Sequence, residues 1–409
     1  MSAFADAPPR HVAVFLFADF GHISPTLGLT RELVRRGHRV TYFVDHQYSE
    51  VIEQTGARVV GYTSRRGAFF KEPYADAARL AAEGLDLMVE SMERVHPLAL
   101  SVLAADPPDI VLYDFESFPA ARMTAHLLGC VTTVQLGVSH VSNEAFSLRE
   151  LLFDPEDPSI REGGAAVLRF AQDNGLTPEG LGRFVREWDE HNLAFLPREF
   201  QIEGSTFDER FAFVGPTVTV PEGDVPWSPP ADGRRLALVS LGTEANQQRD
   251  FFRTCVDAFD GADWHVVMTI GRDGDLAGLG ALPPHVEAHR WLPHPVVLPH
   301  ADVLVCHGGM GSVMEALSFA TPVVAVPPQS FELTLTARRL DELGLGRMIS
   351  GDELTADTLA AVVGDIVADP ESPERMARMR ANTVGAGGAV RAAGLLEQWA
   401  GRADSDPPG

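Results

Sequence analysis

Two α/β domains, each built on a doubly wound parallel sheet, are the architecture this sequence predicts. Three observations predict it. Apolar runs of three to six residues are continuous rather than alternating, so both faces of each sheet are covered. Segments with helical spacing separate those runs. The alternation halts at a proline-rich stretch, residues 221–235, and then resumes. At 409 residues the chain has room for two or three domains, each with its own core.

The elements follow in order. Val12–Leu16 reads as the first strand. Ile23, Leu27, Leu33 and Val34 then mark a helix face, with Gly37 where a C-terminal cap belongs. Val40–Val44, Ile110–Leu112 and Val131–Leu136 read as further strands, with a helix over Ala120–Leu128 before the last of them. Phe69–Leu103 is helical and partly apolar, and Asn143–Glu203 has helical pieces without a clean period. The interruption carries Pro221, Pro226, Pro229, Pro230 and Gly233. Beyond it, Leu236–Leu241, His265–Ile270, Val303–Cys306 and Val323–Val326 read as strands, with a helix over Gln248–Phe259. Leu359, Val362, Val363 and Ile366 share a helix face. The expected division is 1–220, a linker at 221–235, 236–385, and a closing segment 386–409 whose helix returns to the first domain.

Composition excludes several classes. There are 33 Lys and Arg against 57 Asp and Glu, a net charge of −24, which opposes nucleic acid and anionic membrane surfaces. Cys130, Cys255 and Cys306 are far apart and form no C-x-x-C, so neither a disulfide scaffold nor a thiolate zinc site is expected. No eighteen-residue apolar run exists and Met1–Arg10 lacks a signal-peptide pattern, so a cytoplasmic protein is expected.

The sharpest local signal is a strand, then His307-Gly308-Gly309-Met310-Gly311-Ser312, then a helix. Glycines at such a turn let backbone approach a ligand closely, and a helix N-terminus suits an anion. His307 and the Ser312 hydroxyl would add hydrogen bonds. The segment is neither a P-loop nor a Gly-x-Gly-x-x-Gly turn. Read alone, it is equally a tight turn. Near the amino terminus His22 follows the first strand, at the rim where open α/β sheets bind ligands. Its pKa range suits a general base. Asp114 and Glu116 follow the Ile110–Leu112 strand and are candidates to orient it. Asp109 precedes that strand and belongs at the other end of the sheet. Pro25 reads as first-turn helix.

The ordered set Trp291, Pro293, His300-Ala301-Asp302, His307 through Leu317, Gln329, Glu332 and Glu342 through Arg347 resembles the donor-binding signature of the UDP-glycosyltransferase superfamily, most closely its bacterial macrolide-type members. Leu238–Thr243 and Gly21–Pro25 extend the likeness. The resemblance implies a GT-B fold, two Rossmann-like domains facing across a cleft, with the acceptor bound by the first and the sugar nucleotide by the second. It implies His22 as catalytic base with Asp114 as its partner. It implies Trp291 stacked on the base, Thr243, His307, Gly309, Gly311 and Ser312 on the diphosphate, and Glu315 on the ribose hydroxyls. Gln329 and Glu332 fall at donor-loop positions. The alternative reading of Trp291 is a core residue, and that of Glu315 a solvated charge in the first turn of its helix.

The expected reaction is inverting transfer of a hexose from a nucleotide diphosphate sugar to a hydroxyl of a hydrophobic natural product such as a macrolide or polyketide. No cofactor and no metal are expected, and Asp273-Gly274-Asp275 reads as an acidic turn. UDP-sugar, with glucose the default, comes first and a dTDP-deoxyhexose second. The family's acidic-Gln pair is Glu332-Leu333 here, and Thr336 replaces a usual Asn, a departure that favours a deoxy sugar or an unusual hexose. Glu315 favours ribose. Phe69, Phe70, Met88, Met92, Phe115, Phe118, Phe146 and Leu151–Phe153 could line an acceptor pocket or be ordinary core. Two other classes stay open: a UDP-sugar 2-epimerase on the same fold and a non-catalytic nucleotide-sugar-binding protein. The oligomeric state is also open, a homodimer being one form.

Overall fold

A computed structural model describes residues 8–65, 77–220, 223, 225–231, 233–242, 248–261, 263–271, 274–328 and 330–405, without side chains at 77–83 and 404–405. The chain divides into two units. One holds the described residues up to Thr217 together with those from Ala386 onward, and the other holds those within Val218–Gly385.

The first unit is a seven-stranded sheet of β1 (His11–Phe15), β2 (Arg39–Asp45), β3 (Arg58–Tyr62), β4 (Ile110–Tyr113), β5 (Thr132–Gly137), β6 (Asn192–Ala194) and β7 (Phe211–Phe213), in the order β3-β2-β1-β4-β5-β6-β7. Every pairing is parallel. All five β1 residues are buried, which explains the unbroken apolar run: this central strand meets helices on both faces. Three strands of this unit escaped the sequence reading. β6 and β7 are only three residues long, and β3 is half-buried rather than apolar throughout. Too few side chains are committed to either face in these to give a period.

Helix α1 (Phe20–Arg35) starts earlier than its apolar face indicates, because Asp19 caps it by accepting from the Gly21 amide at 2.6 Å. Pro25 therefore lies inside the helix and not in its first turn. Its carbonyl accepts from the Thr217 hydroxyl. The 77–103 stretch is α2 (Ala77–Glu90), a π-helical turn (Ser91–Val95) and α3 (His96–Leu103). Helix α4 (Phe118–Leu128) follows β4 and ends on Gly129 in the left-handed region.

The second unit has six parallel strands: β8 (Arg235–Ser240), β9 (Trp264–Thr269), β10 (Val286–His289), β11 (Val303–Cys306), β12 (Val323–Ala325) and β13 (Gly346–Met348). Their order is β10-β9-β8-β11-β12-β13. Numbered within the unit this is 3-2-1-4-5-6, the same permutation as the first six strands of the other sheet. Val239, Val266, Val303 and Val305 of the core have no exposed surface. Helix α5 (Met310–Phe319) follows β11, and α6 (Phe331–Glu342) follows β12. Trp227, in the proline-rich stretch, donates its indole N–H to Glu287 of β10 at 2.7 Å and so ties that stretch to this unit.

The last helix, α7 (Gly388–Ser405), belongs to the first unit. Glu397 accepts from Arg36 at 2.7 Å, and lies 3.0 Å from the His38 ring nitrogen. Trp399 stacks on His191 with ring centroids 4.5 Å apart. Arg36 and Glu397 are nine-tenths buried, and Arg36 also donates to Glu32 at 2.8 Å, so it is Arg36 whose removal costs most, leaving the buried Glu397 carboxylate without its guanidinium.

Candidate active site

In a sheet ordered 3-2-1-4 the chain leaves strand 1 on one side and strand 4 on the other, and a crevice opens between their carboxyl ends. Both units have this switch point, and the candidate residues of each lie beside it.

In the first unit, β1 and β4 are paired with Phe15 opposite Tyr113. Asp114 is the next residue after β4, and His22 lies in the first turn of α1 after β1. The structure brings them together: His22 Nδ1 is 2.9 Å from Asp114 Oδ2. The same carboxylate accepts from the Phe17 amide at 2.6 Å and from the Ser117 amide at 3.0 Å. With 1% of its side chain exposed, Asp114 is held rigidly by donors from both sides of the crevice. Its bond to Nδ1 fixes the tautomer and leaves Nε2 as the basic nitrogen. Phe17 packs on the imidazole, ring centroids 5.2 Å apart. Glu116 is a second acidic neighbour, its Oε2 lying 3.8 Å from the same Nδ1. Burial disfavours the imidazolium, but Glu116 and Asp114 outweigh it and raise the His22 pKa to about 10. Asp109 lies at the opposite end of the sheet, accepting from the β1 amide of His11 at 2.6 Å.

In the second unit β11 runs into His307 and the glycine turn. Gly308 has φ +85°, a conformation L side chains rarely adopt, and a Cβ there would lie 3.1 Å from the Leu333 carbonyl. That close approach joins the turn to α6. Gly309 caps α5 with no side chain on the helix-end amides. The His307 ring is wedged between two glycines: a Cβ on Gly309 would be 2.5 Å from its Nε2, and one on Gly242, just past β8, 2.7 Å from its Cε1. Gly311 and Ser312 are in the first turn of α5, and a Cβ on Gly311 would meet only open space. The amides and the imidazole thus converge at the carboxyl ends of β8 and β11, an arrangement suited to an anion.

Trp291 is 46% exposed, so the core reading of this residue is overturned. Glu315 lies in the second turn of α5 rather than the first, because the helix starts at Met310. Its Oε2 is 3.1 Å from Nδ1 of His294, whose Nε2 is 3.2 Å from the Thr269 hydroxyl at the end of β9. Sequence reading missed His294; its place three residues after Trp291 was the available signal. Glu332 is in the first turn of α6. The Thr336 hydroxyl is buried and donates to the Glu332 carbonyl, so it turns into its own helix rather than toward a ligand. Thr243, Gln329 and Asp273 lie outside the described residues.

Among the described residues, His22, Asp114 and Glu116 are the acidic and imidazole groups close enough together to share a cation. Two of the oxygens and nitrogens needed are already engaged, since His22 Nδ1 and Asp114 Oδ2 bond each other.

Two Rossmann-like units, a histidine–aspartate pair at one switch point and a glycine turn lined by an imidazole at the other are the arrangement of a glycosyltransferase of the GT-B class. Residues 253–391 match the C-terminal domain family of the erythromycin biosynthesis protein CIII type. The chain is 34% identical over 399 residues to the NDP-glycosyltransferase YjiC of Bacillus licheniformis, covering 95% of this chain and 98% of that one. It is 35% identical to the oleandomycin glycosyltransferase of Streptomyces antibioticus, covering 95% and 90%. The crystal structure of the calicheamicin glycosyltransferase CalG4 superposes with a TM-score of 0.86 at 35% identity, covering 97% and 99%. The chain belongs to the bacterial macrolide-type UDP-glycosyltransferases.

Proposed function

We propose that this enzyme moves a hexose from a UDP-sugar, with inversion and without a metal, to a hydroxyl of a hydrophobic natural product. The His22–Asp114 pair, with Nε2 left as base, is the observation that carries it. His22 takes the proton of the acceptor hydroxyl as its oxygen attacks the anomeric carbon. The bond to the diphosphate breaks, and the charge it leaves passes to the cradle of His307, the α5 amides and Ser312. A preorganised cradle of this kind supplies the stabilisation a divalent ion would otherwise give. Asp114 stabilises the imidazolium that forms. That relatives carry the names NDP-glycosyltransferase and oleandomycin glycosyltransferase supports a nucleotide donor and a polyketide-like acceptor.

Trp291 stacks on the uracil, Thr243 and Gly309 add to the diphosphate contacts, and Glu315, steadied by His294, accepts from the ribose hydroxyls. Gln329 and Glu332 address the sugar. Ribose offers two hydroxyls to Glu315 and deoxyribose one, which places UDP ahead of dTDP. Trp291→Ala should raise the donor KM about tenfold or more, from the worth of one stacked base, and leave kcat less affected.

The test is a panel of UDP- and dTDP-sugars against polyketide and phenolic alcohols, read by mass spectrometry. A product with the anomeric configuration opposite to the donor, formed equally well in EDTA, is expected. Retention, loss of activity on chelation, or an epimerised sugar formed from donor alone would each refute the corresponding part.

A further inference from the structure

Three polar side chains of the second unit are linked by hydrogen bonds at the carboxyl-end rim of its sheet. Thr269 closes β9, paired with Ser240 of β8 on one side and His289 of β10 on the other, and is buried. His294 opens a short helical turn, His294–Val297, anchored by buried Pro295 and Val297. Its side chain is 14% exposed, against 32% for Glu315. Nε2 of the ring lies 3.2 Å from the Thr269 hydroxyl, and Nδ1 lies 3.1 Å from Glu315 Oε2. A carboxylate only accepts, so Nδ1 carries a proton and donates it to Glu315; in the neutral ring Nε2 then accepts from the Thr269 hydroxyl. A buried threonine at a strand end thus fixes the tautomer of an imidazole, and the imidazole fixes one oxygen of a carboxylate. A glutamate left loose at this exposure would lose rotamer freedom on taking a ligand, whereas one held in advance does not.

We propose that Thr269 and His294 are positioning residues that hold Glu315 ready for the ribose 2′-hydroxyl of the donor, so that the enzyme selects its nucleotide by the sugar of the nucleoside and not by the base. The proposal rests on the donor reading above and narrows it to a class: ribonucleoside diphosphate sugars, whether or not the pyrimidine carries a 5-methyl group. His294 occupies Oε2, which leaves Oε1 to accept from the ligand. A site built to bond a hydroxyl strongly rejects the analogue lacking it, because its own polar group is then left unpaired. The base methyl is a different matter. Trp291, 46% exposed, offers a ring face, and stacking on a face tolerates any base.

Calorimetry with four nucleotides tests this: UDP, 5-methyl-UDP, 2′-deoxy-UDP and dTDP. The two ribonucleotides should bind the wild type alike, and the two deoxyribonucleotides about tenfold or more weaker, the worth of one hydrogen bond to a charged group. His294→Phe keeps a flat ring and removes both bonds, and should bring the ratio of UDP to 2′-deoxy-UDP affinity toward one. Thr269→Val, close in shape and suited to a strand, removes only the hydroxyl and should give an intermediate ratio. Thr269→Ser keeps the hydroxyl and should restore it. A brace that merely fixes the turn to β9 would weaken all four nucleotides by the same factor and leave the ratio unmoved. If His294→Phe does not fold, as judged by circular dichroism, the two Thr269 variants carry the test. A ratio unaltered in Thr269→Val, an equal loss for all four nucleotides, or wild-type discrimination that follows the 5-methyl group overturns the proposal. Transfer assays with the four matching glucose donors separate the two readings. Ribose-selective binding with no sugar transferred refutes the glycosyl-transfer reading alone, and transfer whose ribose preference the variants do not change refutes the relay alone.

Discussion

His22→Ala should lower transfer by about 10²–10⁴-fold, the usual worth of a positioned base, with UDP affinity near that of the wild type. The donor cradle is built entirely from the second unit, which the substitution does not touch. Asp114→Asn should cost a comparable factor, because the amide can present N–H to Nδ1 and turn the imidazole to the wrong tautomer. Alanine at 114 is the poorer test, since it would leave both the Phe17 and the Ser117 amides without an acceptor, whereas the asparagine oxygen still serves Ser117. The pH profile distinguishes a base from a structural histidine. With its pKa raised to about 10 by Glu116 and Asp114 against the effect of burial, His22 carries a proton in the free enzyme at neutral pH. A base must lose that proton first, so kcat/KM for an aliphatic alcohol should climb with pH from 7, pass its midpoint near 10 and level off only above it. Glu116→Gln removes one neighbouring negative charge and should move the midpoint downward. A profile flat across that interval in the wild type would contradict the assignment.

Gly309→Ala should reduce kcat/KM by on the order of 10²-fold, the penalty for misplacing a catalytic contact by about 1 Å. The backbone there is extended, φ −63° and ψ 135°, so alanine is tolerated by the chain itself. Its Cβ would lie 2.5 Å from His307 Nε2, and the ring cannot retreat freely because Gly242 holds its other side. The variant should therefore fold with wild-type thermal stability and bind UDP weakly by calorimetry. Gly308→Ala is less informative, since φ +85° and the Leu333 carbonyl would strain the fold as well. Unaltered donor affinity in Gly309→Ala would remove His307 from the cradle.

The central strands were legible because burial on both faces leaves an unbroken apolar run, as in Val12–Phe15 and Val303–Cys306. The short strands β6, β7 and β13 were not, because three residues carry no period and their pairing is set by neighbours distant in the chain. Helix starts were misjudged where a polar cap rather than an apolar face decides them: Asp19 places Pro25 inside α1, and the glycine turn places Glu315 in the second turn of α5.

The order of residue types along the chain was enough to establish two Rossmann-like halves, the glycine turn after β11 and the candidacy of His22, because strand periodicity, turn chemistry and local motif spacing are properties of contiguous residues. The pairing of His22 with Asp114 across 92 positions, the relay from Thr269 through His294 to Glu315 and the exposed face of Trp291 were settled by folding alone. Each depends on which strand ends become neighbours and on what packing buries, and neither is written in any local stretch of sequence.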